Sequence, residues 1–300
     1  SHTYAHILYG WKPLVYGRRK FLGDIELVLS DLEKLHSLML SKYNYEIKLS
    51  RPPHYVDRIS NHLTSYDAYA CMGYQYMAAS FDGAGWLPLS SYQAEVEATW
   101  KPMERALDID PDFFCGQIIF QKDGYNMARR TPIADGLEKQ LELLDRYGYR
   151  VVTVSDLLKQ SPFADCANGD PAYPYAKKLL ETGFCPAFRD NTIRVEKPVT
   201  RGELAMIMFG TQAANDRISI IKSGEKSHFR DISTSHPYYA AIKLAIKANC
   251  FTVDMVFRPD VPITSREFIF FCGSMFAKSP KNIPSSLSRV DVLKILADYI

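Results

Sequence analysis

The residues that could do chemistry begin at position 2. His2 and His6 stand four apart in SHTYAH, a spacing that lets both imidazoles reach one divalent ion from a loop or a helical turn, with Thr3 able to fix the segment through its hydroxyl. Two nitrogens make half of a tetrahedral shell, and the pair alone describes exposed polar residues just as well. Arg51-Pro52-Pro53, taken alone, is more often a solvated turn than a site. The six cysteines (71, 115, 166, 185, 250 and 272) include no CxxC pair, and Cys71, Cys115 and Cys272 sit in apolar stretches, so free buried thiols are favoured over a disulfide framework. The 36 basic and 34 acidic side chains are interspersed and leave a net charge of +2, which gives no basic footprint for nucleic acid or anionic lipid.

These residues have to be carried by two differently patterned parts. With 47% hydrophobic residues over 300 positions the chain can bury substantial cores, and its length favours two domains. No apolar run approaches the roughly 18 residues of a membrane span; FIFFCGSMF is the nearest. From residue 1 to 160, helical runs (FLGDIELVLSDLEKLHSLML, IADGLEKQLELLDRYG) alternate with strand-like ones (YQYMAASF, GQIIFQ, YRVVTVS), the pattern of an α/β layer or barrel. The spacing predicts a helix over 132–147. Pro132 suits its first turn, Ile133, Leu137, Leu141 and Leu144 recur at three and four residues, and Gly148 stops it. A short seam near Ser161-Pro162 then separates residues 1–160 from 161–300.

The second part is a duplicated unit. The stretch from Phe163 to about 210 returns from Phe229 to about 277. Phe163/Phe229, Asp165/Asp231 and Gly183/Asn249 share one offset, while Pro198/Pro262, Thr200/Thr264 and Glu203/Glu267 share one smaller by two, so the loop between the helices has lost two residues. Each copy reads as a Phe-x-Asp turn, an amphipathic helix, a loop, and a second helix whose first turn holds Thr and Glu as a capping box. This unit resembles the S-layer homology module. In that family three helix-loop-helix repeats form a three-lobed prong holding a secondary cell-wall polymer, with an arginine of an Ile-Thr-Arg-Ala-Glu segment on the acidic glycan. The resemblance implies an all-α repeat domain over 161–300 and assigns that role to Arg201 in PVTRGEL, whose planar guanidinium suits a carboxylate or pyruvyl ketal. In the second copy Ser265 takes the arginine's place and Arg266 lies one step on. A partial third copy, 284–300, matches only the second helix, with Arg289 in the arginine position. Tyr173, Tyr175, Tyr238 and Tyr239 are open between sugar platforms and core.

Four segments of the first part, SHTYAH, RPPHY (51–55), YQYMAASFDGAGW (74–86) and GQIIFQKDGYN (116–126), are similar in order and spacing to the polysaccharide deacetylase family, carbohydrate esterase family four. That resemblance implies a partial distorted (β/α) barrel over 1–160, lacking its amino-terminal part, and a divalent metal, zinc by type, on His2 and His6. The aspartates that complete such a site belong to a motif expected upstream of Ser1, together with an export leader. Arg51 would orient the catalytic aspartate, the Tyr55 N–H would help hold the oxyanion, Asp82 would steady Arg51, and Trp86 and Phe120 would line the acetyl pocket. Two departures stand out: Gly85 where the family has a second aspartate, and Lys122 where it has the histidine that protonates the leaving amine. With an ordinary lysine pKa of about 10.4, Lys122 is either a desolvated, tuned acid or the mark of a dead site.

The combined reading is a bacterial cell-wall surface protein. It is expected to be a metal-dependent deacetylase of peptidoglycan or another N-acetylated polysaccharide, held to a secondary cell-wall polymer by its repeats. The alternative is a non-catalytic glycan-binding or wall-organising protein on a degenerate deacetylase domain.

Overall fold

The computed structural model describes residues 1–10, 21–122, 124–252 and 254–300, and over these the chain is mostly helical. Ser1–Met77 and Ser161–Ile300 together form one compact unit, and Ala78–Gln160 forms another. One boundary between the units falls at Gln160/Ser161. The other falls at Met77/Ala78, inside the region read as one domain.

In the amino-terminal segment, β1 (Leu8–Tyr9) pairs in parallel with β2 (Phe21–Leu22), and α1 follows at Ile25–Tyr43. Asp24 starts α1 by accepting the Glu26 N–H at 2.9 Å, and Asn44, in the left-handed region at φ 49°, ends it. Its buried positions Ile25, Val28 and Leu32 pack with Leu63, Tyr69 and Ile218, so one core spans this segment and the carboxyl-terminal part. β3 (Leu49–Ser50) pairs in parallel with β4 (Gln75–Tyr76). Between them lie a 3₁₀ turn at Pro53–Tyr55 and α2 (Ser65–Met72), which opens with a Thr64–Asp67 capping box.

The second unit holds β5 (Phe81–Asp82) paired in parallel with β6 (Ile119–Phe120), and the helices α3 (Tyr92–Ile109), α4 (Pro132–Arg146) and α5 (Val154–Gln160). Helix α4 lies where the spacing predicts, but with a different inner face. Leu137 and Leu141 are exposed, while Gly136, Gln140, Leu143 and Leu144 are buried. The reason is close contact with α3. A Cβ on Gly136 would lie 1.9 Å from Thr99 Oγ1, and Gln140 donates to the Thr99 carbonyl at 2.7 Å, so a small residue and an amide take places that the pattern gave to leucines. The run YRVVTVS is not a strand: Thr153 accepts the Asp156 N–H at 3.1 Å and turns the chain into α5. Among the described residues, strand pairing amounts to three separate two-residue pairs rather than the expected partial barrel.

The repeats supply α6 (Tyr173–Glu181), α7 (Arg201–Ser223), α8 (Tyr239–Lys247), α9 (Ser265–Phe276) and α10 (Arg289–Ala297) around one core that includes Leu204, Phe257, Phe268, Phe271, Leu293 and Leu296. The Asp of each Phe-x-Asp turn fastens its own loop. Asp165 accepts the N–H groups of Ile193 (2.6 Å) and Arg194 (2.9 Å), and Asp231 those of Phe257 (2.9 Å) and Arg258 (2.6 Å). The second loop reaches the same closure two residues sooner, as the offsets require. All six cysteines are free thiols. Cys166, Cys250 and Cys272 are buried, whereas Cys115, read as apolar and inward, is exposed. No helix among the described residues is long and apolar enough to cross a membrane.

Candidate functional site

The histidine segment belongs to the first unit. Ile7 N–H donates to Thr3 Oγ1 at 3.0 Å, which closes a turn that places the His2 and His6 rings 5.1 Å apart, edge to face. His54 joins them, its ring 5.7 Å from that of His6. The His2 Nδ1–H donates to the Arg51 carbonyl at 2.7 Å. Burial lowers its pKa to about 4, so the ring is neutral at pH 7 and Nε2 carries the lone pair. Even with His54, no group of three or more His, Cys, Asp or Glu side chains among the described residues is placed to hold a metal. Arg51 Nη1 donates to the Tyr55 hydroxyl at 3.2 Å, and its guanidinium lies over the same ring. The Tyr55 N–H is taken up by the Pro52 carbonyl at 3.1 Å.

Asp82, Trp86, Phe120 and Lys122 belong to the second unit. Asp82 organises its own turn, accepting the Ala84 N–H at 2.8 Å and the Trp86 Nε1–H at 2.9 Å. Phe120 and Lys122, both half-buried, lie at and just beyond the end of β6. Gly85 has a physical reason to depart from an aspartate: it sits at φ 81°, and a Cβ there would come within 2.5 Å of Ile133 Cγ1. A buried knot that the sequence did not signal holds this unit's loops: Glu95 accepts from Leu89 N–H (2.9 Å), Asn126 Nδ2 (3.0 Å) and Arg130.

In the repeats, three capped helix starts converge. Thr200/Glu203 and Thr264/Glu267 form the expected capping boxes, and Ser288/Asp291 forms a third on α10. The segment before α7 bridges both others: Ile263 N–H donates to Val199 (2.9 Å), Arg201 N–H to Val261 (3.0 Å) and Arg289 N–H to Lys197 (2.8 Å). Side chains at the first helical position complete a cycle. Arg201 donates to the Phe257 carbonyl (2.7 Å) and pairs with Glu267, while Ser265 Oγ donates to the Pro284 carbonyl (2.6 Å). Arg289 donates to the Pro186 carbonyl (2.8 Å) and pairs with Glu203 (3.3 Å). The half repeat thus closes a ring of three with one helix, and each first-turn side chain clamps the next lobe.

The two arginines differ in what they leave over. Arg201 lies against Phe251 and Phe257 in the clamp. Arg289 is 2% exposed, its guanidinium lies over Phe188 at 4.1 Å, and burial lowers its pKa to about 10, so it stays charged at neutral pH. Its buried Nε–H has no partner among the described residues. Arg289 lines a groove of about 330 Å³ with Arg189, Arg194, Glu203, Phe188 and Tyr238. A smaller cavity of about 180 Å³ shares Arg189 and Phe188 and reaches Asp67 and Arg217. Of the four ambiguous tyrosines, Tyr173 and Tyr239 are core, Tyr175 packs against the core, and half-buried Tyr238 lines the groove. Arg189 had no signal in the repeat, because it lies in the loop where the copies diverge, whereas Arg194 matches Arg258 at the offset of Pro198/Pro262.

Residues 162–205 and 228–269 match the S-layer homology domain, which supports association with the wall at the cell surface. No curated protein matches the chain.

Proposed function

We propose that this chain is a bacterial wall-surface protein anchored by a secondary cell-wall polymer, with an acidic group of the polymer in the Arg289 groove. The observation that carries this reading is a groove lined by three guanidiniums, those of Arg189, Arg194 and Arg289. Charge-assisted bonds from guanidiniums to a carboxylate are strong and directional, and the Arg189 and Arg194 side chains keep exposed surface for them. The matched repeats support the class of partner, and phenyl and phenol rings in the same walls suit the faces of sugars. Arg289→Lys tests this on the full chain, because lysine keeps the charge and removes the Nε–H and the planar stack. Retention on polymer-bearing Gram-positive sacculi should fall about tenfold, equivalent to about 1.4 kcal/mol; unchanged retention with an unchanged melting temperature would refute the groove assignment.

A second reading is a polysaccharide deacetylase-type role for the part before residue 161, acting on peptidoglycan or a related N-acetylated polysaccharide. It is favoured by His2, whose neutral ring and carbonyl-held Nδ1 are the form a metal-binding imidazole takes. A zinc ion would add a Lewis acid for water activation, but the residues described do not complete its shell. Zinc titration of this chain should accordingly show weak binding that His2→Ala abolishes. Tight stoichiometric zinc would contradict that expectation.

A further inference from the structure

We infer that the polymer groove is a composite site, with one wall formed by Tyr66 from the amino-terminal segment. The inference rests on the anchoring reading above and extends the binding surface beyond the repeats. Tyr66 is half-buried on α2 and lines both the groove and the adjoining cavity. Its ring is held by stacking on Tyr76 at 4.5 Å and 20°, so it is a rigid platform rather than a loose side chain. The next residue fixes the cation beside it. Asp67 binds Arg189 at 3.0 Å, and the Arg189 guanidinium lies 5.7 Å from the Tyr66 ring centre. Asp67 also binds buried Arg217 of α7 at 2.7 Å, which locks α2 to the repeat helix that carries Glu203 at its start. One helix of the amino-terminal segment therefore sets both an aromatic face and a guanidinium in the groove, the pair of groups that a carboxylate-bearing sugar would engage with its face and its charge.

The test measures binding of the full chain to secondary polymer released from Gram-positive sacculi, comparing wild type with Tyr66→Leu and Tyr66→Phe. Tyr66→Phe should bind within about twofold of wild type. Tyr66→Leu should bind about fivefold to tenfold more weakly, the effect of about 1 kcal/mol or more from a lost ring face. Because the leucine substitution also removes the stack on Tyr76, a second measurement uses unmodified protein. Tetranitromethane nitration of Tyr66, read by mass spectrometry, should slow at least about fivefold when the polymer is bound, an occupancy effect expected near saturation. Wild-type binding with equal affinity in Tyr66→Leu and no protection of Tyr66 would overturn the composite site and leave the anchoring reading standing. Failure of the wild type to bind the polymer would remove the anchoring reading, and the composite site with it.

Discussion

Asp67→Asn is the most informative single change. The Asp67 carboxylate is 1% exposed and receives Arg217 Nε at 2.7 Å and Arg189 at 3.0 Å through one oxygen, while the other accepts the Thr64 N–H at 2.9 Å. The Arg217 side chain is only 9% exposed, so water cannot replace the lost charge. Its remaining donors stay bonded to the His236, His62 and Ser235 carbonyls, which spares part of the penalty. Breaking a buried ion pair from one side costs about 3–5 kcal/mol. The isosteric amide and the surviving bonds place this case near the low end, at about 3 kcal/mol. For a unit of this size that corresponds to a melting shift of about 6–12 °C. Differential scanning calorimetry of the full chain reads it, with the Ala78–Gln160 transition as an internal control. A double-mutant cycle with Arg217→Met should return a coupling of at least about 1 kcal/mol. A shift below about 2 °C, or additive effects of the two substitutions, would refute the view that this pair joins the amino-terminal segment to the repeats.

Gly136→Ala should destabilise the second unit by about 1–3 kcal/mol through overpacking against Thr99, measured as a lower midpoint for that unit alone; an unchanged midpoint would mean that α3 and α4 can separate freely. The second repeat should weaken in acid. Burial pushes the Asp231 and Glu267 pKa values up, but the bonds they accept, from Phe257 and Arg258 N–H for Asp231 and from Thr264 and Arg201 for Glu267, outweigh it and leave both below their ordinary values. Their contribution is therefore complete above the unfolded values of about 3.9 and 4.3 and is lost as pH falls through the lower folded values. Urea midpoints should drop below about pH 4, and Asp231→Asn should flatten that slope; a flat wild-type profile would contradict the assignment.

The duplication was readable because its parts are local. Thr200/Glu203 and Thr264/Glu267 are capping boxes that declare themselves within four residues, and the two-residue loop deletion follows from the offsets. Ring closure was not readable, since α10 lacks a preceding repeat helix and Arg289 meets Glu203 only through the fold. The docking of the amino-terminal segment was hidden for the same reason, because Asp67–Arg217 is one long-range pair with no periodic trace. In the segments read as deacetylase-like, Thr3 fixes its turn through its hydroxyl, while the Asp82–Trp86 bond had no place in the sequence reading. The strand-like runs are another matter: parallel strands need neighbours, and YRVVTVS gives way to a Thr153 helix start. The face of α4 misled because Gly136 and Gln140 lie where leucines would ordinarily be expected.

The central claim is that the repeats and their groove hold this protein to a wall polymer, and the direct measurement is equilibrium binding of the full chain to purified Gram-positive sacculi before and after the secondary polymer is extracted. The account predicts saturable binding to intact sacculi that is lost on extraction and weakened by high salt, because the contact is charge-assisted. Equal binding to extracted sacculi would contradict it.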